Sequence, residues 1–340
     1  LFSGQESFHP VTNVMFLKTH KTASSTVMNI LYRFTEKRNL TVALPAGQLF
    51  HLGYPWLFLT KYVEGFKTLN GTFNIMCNHL RFNVQRVMPN DTFYFSILRN
   101  PIHLMESSFM YYKASSSFFS AKSLDDFLNH TSKFYNPLRL DSHYGRNLMT
   151  FDFGFNHNGK YPPHIQLLAQ TIESQFDLVL IAEYFDESMV LLRRLCWSLD
   201  DVVSFPINQQ DASYHSPLSS STIQKIKSWN KLDWELYLHF NRTFWKSPEH
   251  GQGYLQQEVA ALRKRRKQLA KTCLQGDKAS SWKIQDKLLA PLQYGKAGIL
   301  GYNLKHGLDK ATKQACQSLV MPELQYSERL YKRQFPQKAL

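Results

Sequence analysis

The chain has 340 residues, with 40 Lys plus Arg against 26 Asp plus Glu and a formal net charge of +14. A composition that is 43% hydrophobic and 14% aromatic can bury a sizeable core, which excludes a disordered basic tail. The positive excess points to an anionic partner (nucleic acid, phosphorylated cofactor, acidic glycan or membrane surface) without choosing among them.

In chain order, residues 1–12 read as an irregular lead-in, and the start at Leu1 rather than Met suggests a processed or recombinantly expressed chain. Val14-Met15-Phe16-Leu17 is an apolar run of strand length. A polar loop follows, Lys18-Thr19-His20-Lys21-Thr22-Ala23-Ser24-Ser25-Thr26. Val27, Ile30, Leu31 and Phe34 then recur at i, i+3, i+4 and i+7, one face of a helix that Ser24, Ser25 or Thr26 can cap. Further strands are predicted at Phe73–Cys77, Thr92–Leu98 and Phe176–Ala182. The third strand ends at Arg99-Asn100-Pro101, where Pro suits the first turn of a helix. The fourth leads into Glu183 and a helix carrying Met189, Leu192 and Leu195.

Residues 115–120 and 208–222 read as connections. Residues 222–245 read as a helix with Trp229, Trp234, Leu236 and Phe240 in the core, and 255–273 as an exposed basic helix. The Arg263-Lys264-Arg265-Arg266-Lys267 run on it reads as a solvated face. Strands alternating with helices predict an α/β fold with a mostly parallel sheet. With no visible linker, one domain is expected over 13–340, of which about 255–340 is a helical and loop extension. No apolar run is long enough to cross a membrane.

The four cysteines, Cys77, Cys196, Cys273 and Cys316, contain no C-x-x-C spacing, which disfavours a zinc ribbon or a thioredoxin-like site. In an oxidising lumen Cys273 is expected to pair with Cys316, both in the late, loop-rich part, leaving Cys77 and Cys196 as buried thiols. Sequons at Asn39, Asn70, Asn90, Asn129 and Asn241, each closed by Thr, suggest glycan acceptors on the secretory route and argue against a nucleic-acid reader.

Chemistry concentrates at the first strand–loop–helix. Amides at a helix N-terminus lack internal partners and favour an anion. The loop adds Lys18 and Lys21 as cations and Thr22, Ser24, Ser25 and Thr26 as hydroxyl donors, so it suits a phosphate or a sulfonate. It contains no Gly, so it is not a Walker A loop, and a kinase-like phosphoryl transferase loses its main requirement. A non-catalytic sulfated-glycan-binding module remains the other competitor.

Lys21-Thr22-Ala23-Ser24-Ser25-Thr26 resembles the 5′-phosphosulfate loop of sulfotransferases that use 3′-phosphoadenosine 5′-phosphosulfate (PAPS). That loop typically reads P-K-[ST]-[AG]-[ST]-[ST]; here His20 stands where Pro is usual. The string from Phe16 to Thr26 resembles the galactose-3-O-sulfotransferase family. So do Cys77-Asn-His-Leu-Arg-Phe82, Leu98-Arg-Asn-Pro101, Ala182-Glu-Tyr-Phe-Asp-Glu-Ser188, Ile299-Leu-Gly-Tyr-Asn-Leu-Lys305 and Met321-Pro-Glu-Leu-Gln-Tyr326, over about residues 11–335.

The resemblance implies a P-loop-like sulfotransferase fold and metal-free transfer of sulfonate from PAPS to the 3-hydroxyl of a terminal β-galactose, leaving 3′-phosphoadenosine 5′-phosphate (PAP). The galactose would sit on a glycoprotein-type glycan, or alternatively on a glycolipid. The place would be the Golgi lumen, with a membrane anchor outside this chain. Lys21 becomes the catalytic lysine, with Lys18 a weaker candidate. Arg99 and Ser107 would hold the 3′-phosphate, with Ser108 the fallback. His79 becomes the general base, with His20 its competitor at the sulfonate or acceptor and Glu183 a less apt alternative, expected to hold a loop. Tyr302 and Lys305 would close over the nucleotide. Tyr111, Tyr112, His143, Tyr144, Arg146 and Asn147 are candidates for the acceptor sugar.

Overall fold

The computed structural model describes residues 9–47, 49–67, 72–83, 87–115, 117–159, 165–209, 217–246, 253–293 and 298–338. The first part of the chain runs β1 (Val14–Leu17), α1 (Ser24–Arg38), β2 (Ile75–Met76), β3 (Phe93–Leu98) and α2 (Pro101–Tyr111). After α2 come α3 (Leu124–Asn129), α4 (Thr131–Phe134), α5 (Leu148–Asp152), α6 (Ile165–Gln175), β4 (Leu178–Ile181), α7 (Phe185–Leu191) and α8 (Leu199–Val202). The last part holds α9 (Ser220–Trp229), α10 (Lys231–Lys246), α11 (Tyr254–Cys273), β5 (Ala279–Ser280), β6 (Leu300–Gly301), α12 (Lys310–Val320) and α13 (Glu323–Gln334).

The four predicted strands form one parallel sheet in the order β2-β1-β3-β4. Val14 lies opposite both Ile75 and Phe93, and Leu98 opposite Ile181. Every residue of β1 is buried, as expected of a strand covered by helices on both faces. Val27, Ile30, Leu31 and Phe34 of α1 are buried in the core that surrounds the sheet. The chain leaves β1 toward β2 and then returns to the other side of β1 as β3. The crevice at the carboxyl ends of β1 and β3 is therefore a topological switch point, where open α/β sheets bind their ligands.

Three local expectations change. The helix read over 222–245 is two helices, broken at Asn230, whose side-chain oxygen accepts from the Asn147 amide. Leu236 and Phe240 are in the core, while Trp229 and Trp234 stay partly exposed. Helix α9 already starts at Ser220, inside the stretch read as a connection; residues 210–216 of that stretch lie outside the described residues.

Cys273 is bonded to Cys316, tying the end of α11 to α12. Cys77 is buried as expected, but Cys196 is exposed, in a left-handed turn that closes the helical run after α7. The basic run on α11 is not simply solvated. Arg263 and Arg266 both bond Asp186 at the start of α7, and Arg265 takes Asp200 of α8. Among the described residues, no helix is long and apolar enough to cross a membrane.

Candidate active site

The loop after β1 feeds α1 at the switch point. It has no glycine, yet Lys21 (φ 60°) and Ala23 (φ 62°) both take the left-handed conformation. A Cβ makes that cost about 1–2 kcal/mol per residue, so the strain must be held by other contacts. Thr19 Oγ1 bonds the Ile97 carbonyl on β3, and the hydroxyls of Thr22 and Ser24 both donate to the Thr19 carbonyl. Thr26 Oγ1 accepts the Ile207 amide. Three of the four expected hydroxyl donors therefore shape the loop; Ser25 is the one lining the pocket with a bond to a facing side chain. No side chain caps the N-terminus of α1. Uncapped amides beside alternating left-handed residues make a nest that fits a phosphate or sulfonate.

Arg99, at the end of β3, donates Nη1 to the Lys21 carbonyl at 2.8 Å, so it clamps the loop at its strained residue. Lys21 Nζ lies 3.6 Å from the ring centre of Tyr111. Burial, then the charges of Arg99 and Lys18, lower its pKa to about 7, against a raising pull from Glu323. Lys18 has its side chain only 3% exposed and sits 3.2 Å from Glu323 Oε2. Ser25 Oγ donates to the same Glu323 oxygen at 2.7 Å. Glu323 opens α13, which packs with α12 against α1, so the C-terminal segment is part of the site rather than an appendage.

The two candidate histidines stack on each other, ring centres 3.8 Å apart, but their partners differ. His79 Nδ1 bonds the Lys18 carbonyl at 3.0 Å, and that acceptor fixes the proton on Nδ1. Its Nε2 is 2.7 Å from Lys18 Nζ and is thereby taken. His20 bonds Asp152 twice: its amide reaches Oδ2 at 2.8 Å and its Nδ1 reaches Oδ1 at 3.0 Å. Tyr54 donates its hydroxyl to Asp152 Oδ1 at 2.9 Å. His20 Nε2, on a residue that lines the pocket, has no bond among the described residues. Burial depresses both imidazoles well below the ordinary value and raises the Asp152 carboxyl, an effect opposed by its bonds to the His20 amide and Tyr54.

Asp152 is presented by the end of α5. The first amides of that helix, Met149 and Thr150, are held by the buried Asp233 carboxylate at 3.0 and 2.8 Å. The segment after His79 is zipped to the same helix by the bond from the Phe82 amide to the Asp152 carbonyl, 2.9 Å. Gly154 permits this approach, because a Cβ there would lie 2.2 Å from the Phe82 carbonyl oxygen. None of Asp152, Asp233 or Tyr54 belongs to a motif; Glu323 lies inside Met321–Tyr326, which carried likeness without a role.

The pocket has a volume of about 600 Å³ and is lined by Lys18, His20, Lys21, His79, the loop to Ser25, Tyr111, Tyr112, Tyr144 and Glu323. Tyr112 and Tyr144 stack at 3.7 Å, a flat aromatic surface suited to the apolar face of a sugar. Other expected residues stand back. His143 packs flat on Phe151, and burial, then the charges of His20 and His157, lower its pKa to about 2. Arg146 stacks over Trp229, and Asn147 is spent on the His157 carbonyl. Ser107 is buried on α2, and Ser108 Oγ is committed to the Tyr144 carbonyl. Tyr302 is buried with its hydroxyl on the Pro206 carbonyl, and Lys305 Nζ caps the Lys271 carbonyl at the end of α11. Glu183 accepts the Asn100 amide at 3.0 Å, holding the turn into α2 as expected. Of the sequons, Asn39, Asn90 and Asn129 are exposed, Asn241 is half-buried in α10, and Asn70 lies outside the described residues.

A family model described as Galactose-3-O-sulfotransferase matches residues 3–334. Galactose-3-O-sulfotransferase 2 of Homo sapiens is 56% identical over 351 aligned positions, covering 100% of this chain and 88% of the relative. Galactose-3-O-sulfotransferase 4 of Homo sapiens is 39% identical, covering 96% of this chain and 84% of the relative. Galactosylceramide sulfotransferase of Homo sapiens is also 39% identical, with 93% and 77% covered. The chain is a sulfotransferase and belongs to the galactose-3-O-sulfotransferase family.

Proposed function

We propose that the protein transfers the sulfonate of PAPS to the 3-hydroxyl of a terminal β-galactose, in line and without a covalent intermediate. The observation that carries this reading is a glycine-free anion nest, with Lys18 and Lys21 in it, facing an imidazole whose free nitrogen opens on the same pocket. PAPS supplies an activated sulfonate on a phosphate leaving group. Lys21 and the amides from Thr22 to Ser25 stabilise charge that develops on that phosphate. Arg99, at the adjacent strand end, is assigned the 3′-phosphate together with Ser107 of α2, and Tyr302, bonded to the Pro206 carbonyl, supports the wall behind Ile207 and Asn208.

His20 is the better placed base. Asp152 holds its proton on Nδ1, leaving the Nε2 lone pair toward the pocket, whereas Lys18 occupies the corresponding nitrogen of His79. His79 then orients Lys18. Tyr111, Tyr112 and Tyr144 frame the acceptor. The greater identity is to relatives not named for a ceramide, which favours a glycoprotein-type glycan. The Cys273–Cys316 bond and the exposed sequons fit the Golgi lumen, and the extent of the family match supports one catalytic unit over 13–340.

The test is transfer of labelled sulfonate from PAPS to a panel of β1-3 and β1-4 galactosides, with the product linkage determined. A 3-O-sulfated product is expected; sulfation elsewhere on the sugar, or none, contradicts the reading.

A further inference from the structure

Glu323 is the one carboxylate among the described residues that line the pocket. It sits in an anion site, where a fixed negative charge works against the ligand. It is well held: its carboxylate takes Ser25 at 2.7 Å and Lys18 at 3.2 Å, and its side chain is 13% exposed. Burial alone would raise its pKa, but the charge of Lys18 and the bonds from Ser25 and Lys18 outweigh that, so it stays ionised. Both of its partners belong to the donor loop. Ser25 also accepts from Asn208 Nδ2 at 3.2 Å, so the hydroxyl has no spare hydrogen for a ligand while Glu323 holds it.

We propose that Glu323 is a resident counter-anion of the donor loop: it yields Lys18 and Ser25 to the incoming phosphosulfate and reclaims them to expel the desulfonated nucleotide. This rests on the donor reading given above. A carboxylate within reach of the bound anion's own partners competes with that anion directly. The competition lowers affinity for substrate and product alike and shortens the product's stay. A residue present only to stiffen the loop would have the opposite signature, because its loss would loosen the nest and weaken binding. A residue serving the sugar would leave nucleotide affinity unchanged and alter the acceptor KM.

The experiment compares PAP affinity by calorimetry, and single- and multiple-turnover transfer, for the native protein and Glu323→Gln. The amide keeps the shape and can still accept from Ser25. Expected are PAP binding about tenfold tighter, equivalent to roughly 1.4 kcal/mol, and a lower kcat with a burst of product in the first turnover. Unchanged or weaker PAP binding overturns the proposal, as does a change confined to the acceptor KM. If Glu323→Gln does not fold, Glu323→Asp carries the test, since it keeps the charge and withdraws it by one methylene. Tighter PAP binding, about two- to threefold, is then expected, and no tightening overturns the proposal. Native protein that fails to bind PAP at all defeats the donor reading instead, so the two failures are distinguishable.

Discussion

The molecule carries two clusters of cations with opposite fates. Lys18 and Lys21 line the pocket after β1, Arg99 clamps their loop from the end of β3, and the protein around Lys21 depresses its pKa to about 7. Arg263, Arg265 and Arg266 line an exposed helix, where Asp186 and Asp200 meet them. The second cluster has more charge per residue and dominates a reading of composition. The first has as many cations, but Lys18 and Lys21 are removed from water, and burial lowers the pKa of Lys21, the setting in which a cation gains most from an anion. The basic run on α11 fastens α7 and α8.

The difference between the two clusters rests most heavily on Lys21. Lys21→Ala is expected to lower kcat about 10²–10³-fold, measured by initial-rate transfer at saturating PAPS; a loss below fivefold would place the charge stabilisation elsewhere. Arg99→Ala, which removes both the loop clamp and a charge-assisted bond, is expected to weaken PAP binding by roughly 1.5–3 kcal/mol. Calorimetry showing a larger effect on the galactoside than on PAP would count against its assigned role.

Depressed Lys21 also gives a pH signature. Its ammonium is disfavoured in the free protein and favoured beside a bound phosphate, so binding raises its pKa. Below about pH 7 it is charged in both states and no proton moves. Above pH 7, PAP binding takes up a proton, and affinity falls by up to about tenfold per pH unit. Calorimetry in buffers of different ionisation enthalpy reads this uptake; none at pH 8 would show that Lys21 is not the coupled group. At the small end, Arg263→Ala removes one exposed pair with Asp186 and is expected to cost about 0.2–1 kcal/mol of stability while transfer is unchanged. A loss of transfer without a loss of melting temperature would return the α11 cluster to the functional site.

Much of this was legible because it is local. An apolar tetrad, a polar loop and a 3.6-residue apolar repeat lie within about 25 residues, and they became β1, the nest and α1. The parts that stayed hidden are set by contacts between remote segments. Asp152 meets His20 across 132 residues, and Glu323 meets Ser25 across 298. Neither acid has a spacing pattern of its own, because tertiary packing alone brings them in. The same limit explains the two histidines. His79 and His20 were comparable as residue types, and only the position of Lys18 against one and Asp152 against the other separates them. Cys196 and Asn230 failed for the complementary reason: each sits at a helix end where a turn overrides the apolar periodicity around it.

We propose that His20, held by Asp152, removes the proton from the acceptor hydroxyl. The most direct measurement is transfer of labelled sulfonate by His20→Asn and His79→Asn, each with PAP affinity determined alongside. His20→Asn is expected to keep PAP affinity within about threefold while transfer falls about 10²–10⁴-fold, and His79→Asn, which releases Lys18, to lose about tenfold or less. Near-native transfer by His20→Asn, or the larger loss in His79→Asn, would contradict it.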